Sequence, residues 1–436
     1  MKNIFIKILK WKLKILAKLT VWHFKPKVVA ITGSVGKTST KEEIYAVLKD
    51  YYRVRKSQGN LNNELGIPLA IIGSWSEKDL KIVSREEPAG KKKLRKAFFW
   101  TKAILSGFFS LIFLRKSAYP EILVLEYAAD RPGDIRYLLD IARPDVSIIT
   151  AIGEVPVHVE FFSGPEAVLR EKSKIVEYLS ASGFAVLNFD NELSLSAKER
   201  TRGRIITFGF NEGADVKISN FENRSEENEP AGISFKIEYG GSFVPTVIRN
   251  VFGRAQAYAA AAATCVGLIF DLNLVEIAES ILKNYEPVKG RTNLIKGIKE
   301  TYIIDDAYNA SPISMKEAIN TLTDLPGKRK IAVLGDMLEL GKYSIEAHEA
   351  VGKSVAKLVD VLVTVGPRGK FIADAARGAG LPRHKVISFD TSGEAAKSVQ
   401  SLIRKGDLIL IKASRGINLD KVVEEIKEVK THNIQN

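Results

Sequence analysis

The sequence predicts an α/β protein with two parallel-sheet domains, and three observations carry the prediction. The first is Val28–Lys41, VVAITGSVGKTSTK, an apolar run that breaks at glycines and leads into a helical stretch. The second is a set of short apolar runs, Ile122–Glu126, Val146–Ala151 and Gly183–Asn188, separated by amphipathic helical stretches. Strands buried on both faces read this way, because helices cover each side of a parallel sheet. The third is a restart of the pattern after Glu286–Arg291, with strands at Tyr302–Asp305, Lys330–Leu334, Val359–Val365 and Leu408–Ile411. The expected organisation is a basic amphipathic helix over 1–26, a central domain over 27–288 with an insertion at about 84–118, and a C-terminal Rossmann-like α/β domain over 289–436.

Composition agrees with that plan and excludes several function classes. With 436 residues, 45% of them hydrophobic and 27% charged, the chain can bury large cores in two or three domains. Its one cysteine, Cys265, excludes an internal disulfide framework and a multi-cysteine metal site, and suits the cytoplasm. The formal charge of +14 is concentrated at the amino terminus and in Lys91-Lys92-Lys93-Leu94-Arg95-Lys96. Both clusters sit among apolar and aromatic residues, unlike a nucleic-acid platform, so no nucleic acid partner is expected.

Taken in order, Met1–Lys27 alternates lysine with Ile4, Ile8, Leu9, Trp11, Ile15, Leu16 and Leu19 at helical spacing. It reads as a basic amphipathic helix, lying on a membrane or packed on the protein body. Lysines interrupt any apolar core, which argues against a secretory signal. The glycine-rich turn follows: Gly33, Ser34, Val35, Gly36, Lys37, Thr38 and Ser39 would cradle a phosphate, with Lys37 as point charge and Thr38 on magnesium. The spacing is one of a shortened P-loop, since a strict Walker motif would need glycine at Ile31; an ordinary αβ turn is the plain alternative. ATP is therefore the expected cofactor and the central domain is expected to be P-loop ATPase-like.

The run Ala97–Leu114 is apolar but for Lys102 and a few small polar residues, and short for a bilayer span. One crossing would also divide the phosphate loop from everything after it, so an interfacial, monotopic insertion or burial in the protein is expected. Ile205–Val251 alternates polar and apolar residues around Asn-Glu-Gly and Gly-Gly turns, the pattern of an antiparallel appendage. Ala255–Leu268 reads as a tightly packed helix.

Open α/β sheets place ligands at the carboxyl ends of their strands, where Glu126 and His158 stand, with Lys172 on the next helix. Singly, each has a dull explanation as a cap, a solvated loop histidine or one of 65 basic residues.

The phrases ITGSVGKTSTKE from Ile31, GNLNNELGIPL from Gly59, EYAADRPGDI from Glu126, HVEFF from His158, AVLNFDN from Ala185, IDDAYNASPISM from Ile304, AVLGDMLELG from Ala332 and IKASRG from Ile411 together resemble the Mur ligase family. GNLNNE, DDAYNASP and VLGDMLELG are most similar to its D-alanyl-D-alanine-adding branch. The resemblance implies an ATP-dependent amide-bond ligase of peptidoglycan and cell-wall synthesis that phosphorylates a carboxylate to an acyl phosphate. Its implied partners are a peptidoglycan-type peptide precursor and D-alanyl-D-alanine, and its implied cofactors ATP and two Mg2+ ions. On that mapping Lys37 holds the β and γ phosphates, Thr38 and Glu126 ligate one magnesium, and His158 serves a second. Lys172 takes the place of a lysine that is carbamylated in much of the family, with Lys174 the competing register. Arg291 resembles the phosphate-facing arginine, and Asp306, Tyr308 and Asn309 the nucleotide-contacting turn. Asp336, Lys412, Ser414 and Arg415 fall to the amino substrate or the closed-domain interface.

Departures from the family pattern carry their own expectations. G-R-H-N-x-x-N-A reads Gly253-Arg254-Ala255-Gln256, with Ala259 at the last asparagine, so the adenine contacts differ and Gln256 is the candidate for a base edge. Ala413 replaces a glycine. Only Met1–Pro26 precede the core, where relatives carry a UDP-holding domain. The acceptor is accordingly expected to be held differently, as a lipid-linked or membrane-proximal precursor, with peripheral membrane contact through 1–26 and 91–116 by a monomer at the inner face of the membrane. A ligase for another carboxylate, of polyglutamate or pseudomurein type, and a non-catalytic ATP-binding membrane scaffold are the alternatives.

Overall fold

The computed structural model describes residues 2–83, 93–156 and 158–428. Nine strands form the first sheet: β1 (Lys27–Thr32), β2 (Val54–Lys56), β3 (Ile122–Glu126), β4 (Val146–Ile149), β5 (Phe184–Asn188), β6 (Arg204–Gly209), β7 (Val216–Glu226), β8 (Glu229–Tyr239) and β9 (Ser242–Arg249). Their spatial order is β2-β3-β1-β4-β5-β6-β7-β8-β9. Pairing is parallel as far as β7, and antiparallel from β7 to β9. The expected appendage is thus a continuation of the sheet, and β6, expected within it, pairs in parallel with β5.

Period-two alternation places the cores. In β1, Val28 and Ala30 face one layer while Val29 and Ile31 face the other; in β3, Leu123 and Leu125 oppose Ile122 and Val124 in the same way. One layer is closed by the helices Lys2–Phe24, Gly66–Ile72 and Lys93–Phe113, the other by Lys37–Leu48 and Arg254–Ile269. The second helix pair is tight because its alanines, Ala257 and Ala260–Ala263, are fully buried and let the backbones approach.

The second sheet comprises β10 (Asn293–Gly297), β11 (Thr301–Asp306), β12 (Arg329–Gly335), β13 (Val361–Val365), β14 (Val386–Phe389) and β15 (Asp407–Lys412), in the order β10-β11-β15-β12-β13-β14. All but β10 pair in parallel. The sequence signals no strand at β2, β10 or β14, which are short sheet-edge strands without a long apolar run. Between β11 and β15 lie the register partners Asp306 and Lys412, so both reach the carboxyl edge of this sheet together.

The insertion holds a helix, Lys93–Phe113, while 84–92, including Lys91 and Lys92, lie outside the described residues. The helix runs through Arg95, Lys96, Ser106 and Lys102, so by length and composition it could cross a bilayer, longer than the apolar run alone suggests. One side is nevertheless packed in the protein, where Phe99 and Ala103 are buried.

Candidate active site

The turn after β1 is built by two glycines and a strap. Gly33 has φ +149, and a Cβ there would lie 2.0 Å from Thr150 Oγ1, so no side chain fits. Gly36, at φ +84, opens the helix Lys37–Leu48 in a left-handed conformation. Ser34 N–H donates to Ala151 O at 2.7 Å, and Thr150 Oγ1 donates to Val35 O at 2.6 Å. The end of β4 therefore fixes the loop.

The charged groups converge on this turn. Lys37 Nζ donates to Gly33 O at 2.8 Å and Ser34 O at 3.3 Å, curled over the loop that a phosphate would enter. Thr38 Oγ1 donates to Glu126 Oε2 at 3.1 Å, and Asn62 Nδ2 to Glu126 Oε1 at 3.2 Å. Lys172 Nζ, buried at the inner side, donates to Gly33 O at 3.1 Å. The competing Lys174 pairs instead with Glu171 at 2.6 Å.

Burial sets the charge states and neighbours modify them. Burial opposes ionisation of Glu126, but Lys41, Lys37, Arg291 and the Asn62 hydrogen bond outweigh it and hold its carboxyl below the ordinary value. Burial lowers the Lys37 amine, with Arg291 adding to the effect against Glu126 and Asp130. Lys172 falls to about 7, through burial first and repulsion from Lys37 second. A lysine poised near neutrality exposes an amine lone pair at physiological pH.

The opposite wall comes from the second sheet. Arg291 Nη2 donates to Thr38 Oγ1 at 3.3 Å, and its guanidinium lies 4.3 Å from the Tyr308 ring centroid. The Tyr308 hydroxyl donates to Asn60 Oδ1 across the cleft. Lys412 Nζ bonds Asp306 Oδ2, and donates to Asn309 O at 2.9 Å. Burial raises the Asp306 carboxyl and lowers the Lys412 amine, and each is partly restored by the other. Between the walls is a cavity of about 320 Å³ reached by Ser34, Val35, Gly36, Ser39, Arg291, Asp306 and Asn309.

His158 stands at the side, in a left-handed backbone conformation at φ 71. Its Nε2 lies 3.3 Å from Asp130 Oδ1, and its Nδ1 meets Glu339 from the second sheet's domain. Among the described residues no three His, Cys, Asp or Glu side chains gather into a metal-binding group. Gln256 lines the cavity, but its amide is not free to read a base edge. Its Nε2 donates to Arg291 O and Thr292 Oγ1, both at 3.0 Å, and its Oε1 accepts from the Tyr285 hydroxyl at 3.3 Å. Both ends of its amide are spent on the segment that carries Arg291. Asn62, Lys41, Asp130 and Glu339 are not singled out by the sequence as site groups, although each lies within one of the quoted family phrases. Of the C-terminal residues, Asp336 accepts from Gly369 N–H at 2.7 Å and Ser414 Oγ accepts from Leu338 N–H at 2.9 Å, holding the GDMLELG loop. Arg415 donates to the Tyr308 hydroxyl at 3.2 Å, at the interface of the two walls.

Known proteins resemble this chain over most of its length. The Mur ligase middle domain matches residues 31–83 and 108–267, and the Mur ligase glutamate ligase domain matches 290–415. A UDP-N-acetylmuramoyl-tripeptide–D-alanyl-D-alanine ligase of Bacillus subtilis is 30% identical over 416 residues, covering 95% of this chain and 78% of its own. Among solved structures, MurF from Acinetobacter baumannii superposes with a TM-score of 0.75 at 26% identity, over 95% of this chain and 80% of that one. MurF from Thermotoga maritima in complex with ADP gives 0.74 at 27%, over 95% and 83%. The matched domains and the 30% identity over 95% of the chain show that the chain belongs to the Mur ligase family.

Proposed function

We propose that this protein is an ATP-dependent ligase that joins the amine of D-alanyl-D-alanine to the terminal carboxylate of a muramoyl-tripeptide precursor, releasing ADP and phosphate. The observation that carries it is the convergence of Lys37, Lys172, Thr38, Glu126 and Arg291 on one turn at the edge of a nucleotide-sized cavity.

Joining a carboxylate oxygen to the γ-phosphorus brings two anions together, so the site must supply positive charge and fixed donors. On this reading Lys37 swings from the Gly33 and Ser34 carbonyls to the β and γ phosphates. Arg291, held over the Tyr308 ring, faces the transferring group. The carboxylate oxygen forms a bond to the γ-phosphorus as the bond to the ADP oxygen breaks. The amine then attacks the acyl carbon, loses a proton, and expels phosphate carrying the former carboxylate oxygen. Thr38 and an ionised, buried Glu126 are a pair of hard oxygen donors, which fits Mg2+ beside nucleotide phosphates. His158 with Asp130 would serve a second ion, and Lys172 would join it as a carbamate, formed when its neutral amine adds carbon dioxide and releases a proton. Bound magnesium would neutralise charge on the phosphate oxygens during transfer. The two walls, joined by Arg291–Thr38 and Tyr308–Asn60, would exclude water from the acyl phosphate. We place the reaction in the ATP-supplied cytoplasm.

ADP release is expected to require both the muramoyl-tripeptide and D-alanyl-D-alanine, and Lys37→Ala should lower it by about 10³-fold or more. Turnover that ignores the dipeptide would favour another carboxylate and amine pair. No turnover with any acceptor would leave an ATP-binding scaffold.

A further inference from the structure

The helices Lys2–Phe24 and Lys93–Phe113 carry more apolar surface outward than packing explains. Each buries one side in the same core, through Leu9, Leu13, Leu16 and Ala17 on the first and Phe99 and Ala103 on the second. They lie close together, since a Cβ on Gly107 would come within 2.5 Å of Leu16 Cδ2. Away from that core, Ile4, Ile8, Trp11, Ile15, Leu19 and Trp22 form an exposed stripe on the first helix, at helical spacing. Trp11 is 61% exposed and Trp22 72%. The second helix exposes Leu94, Phe98, Leu105, Phe108, Phe109, Ile112 and Phe113. Two neighbouring helices thus both turn a row of exposed large apolar side chains to solvent, and clustered exposure of this kind marks an interaction site.

Charge identifies what covers it. Neither helix contains an aspartate or glutamate, although the chain holds 51 acidic residues. Lys7, Lys12 and Lys25 are exposed along or just beyond the first helix, Arg95 on the second, and Arg115 and Lys116 just after it. Beside the first helix is a cavity of about 500 Å³ lined by Lys14, Arg136, Tyr137, Asp140, Arg143 and Tyr178; Lys14 pairs with Asp140 at 2.7 Å, and Arg136 and Arg143 leave the cavity net positive. We propose that this face docks on an anionic phospholipid bilayer, with the tryptophan and phenylalanine side chains entering the acyl boundary and the lysines and arginines at the headgroups. The second helix lies in the interface and does not cross, because crossing would pull Phe99 and Ala103 out of the core. Docking borders the candidate site: Lys10 pairs with Glu64 in the 59–65 loop, whose Asn62 holds Glu126 and whose Asn60 accepts from Tyr308.

This inference is independent of the substrates assigned above, and its test does not use turnover. The full chain is floated with phosphatidylglycerol–phosphatidylcholine vesicles and with pure phosphatidylcholine vesicles, at low and high salt. We expect flotation with the anionic vesicles, falling at least about tenfold on pure phosphatidylcholine or in high salt. Trp11→Glu with Trp22→Glu, and separately Phe109→Glu, should each cut anionic-vesicle binding at least about tenfold while leaving the circular dichroism spectrum and melting temperature unchanged. Equal and negligible flotation of the unaltered chain with both vesicles would overturn the proposal. So would sedimentation showing a dimer of the unaltered chain that these substitutions dissolve, since a second copy would then cover the face.

Discussion

At the scale of single residues, the site depends on where charge is buried. Lys172 is 2% exposed, and its amine is held near 7 by burial and by Lys37, against an unfolded value near the ordinary 10.5. Below pH 7 the lysine is protonated in both states, and the folded protein bears the full cost of a desolvated cation. Between about 7 and 10.5 the unfolded chain holds a proton that the folded one has shed, so stability rises with pH across that window. Lys172→Met should therefore stabilise the protein near neutral pH and below, by an amount on the order of a few kcal/mol, and flatten the rise from pH 7 to pH 10. Urea melts across that range measure both; an unchanged slope would mean that Lys172 does not titrate there. The same substitution should abolish ligation, so stability and activity move in opposite directions, as at a site where strain serves function.

At the scale of elements, β1, its turn and the following helix form a unit that needs glycine at 33 and 36 for geometric reasons, and this unit was legible in the sequence. So were Glu126 at the end of β3 and the strands of both sheets whose residues are apolar on both faces. Gln256 was not. Its partners, Arg291, Thr292 and Tyr285, lie far along the chain, and no periodicity reports a polar contact between a helix start and a distant linker. The pairing of His158 with Asp130 and Glu339 was hidden for the same reason, as was the continuity of β7–β9 with the main sheet, since alternation reveals strands but not which edge they join. Gln256→Ala would leave the Tyr285 hydroxyl without its acceptor and remove the amide donor from Arg291 O and Thr292 Oγ1, which keep only their bond to each other, at a cost of about 1–3 kcal/mol. Because the freed segment carries Arg291, the KM for ATP should rise several-fold in steady-state assays, alongside a lower melting temperature; an unaltered KM would separate the linker from nucleotide binding.

At the scale of the whole molecule, the domains of the two sheets wall one cavity from opposite sides, and side chains of the candidate site bridge them. Arg291 reaches Thr38, Tyr308 reaches Asn60, and Glu339 reaches His158. The contacts that join the walls also gather charge around the phosphate loop, which suits a reaction whose intermediate water would destroy. The central claim is that this assembly activates a carboxylate by phosphorylation. It is tested most directly by supplying a muramoyl-tripeptide whose terminal carboxylate carries ¹⁸O at both oxygens, with ATP and D-alanyl-D-alanine, and analysing the released phosphate by mass spectrometry. One ¹⁸O should pass into each phosphate for every amide formed, and release of ADP with unlabelled phosphate would contradict the account.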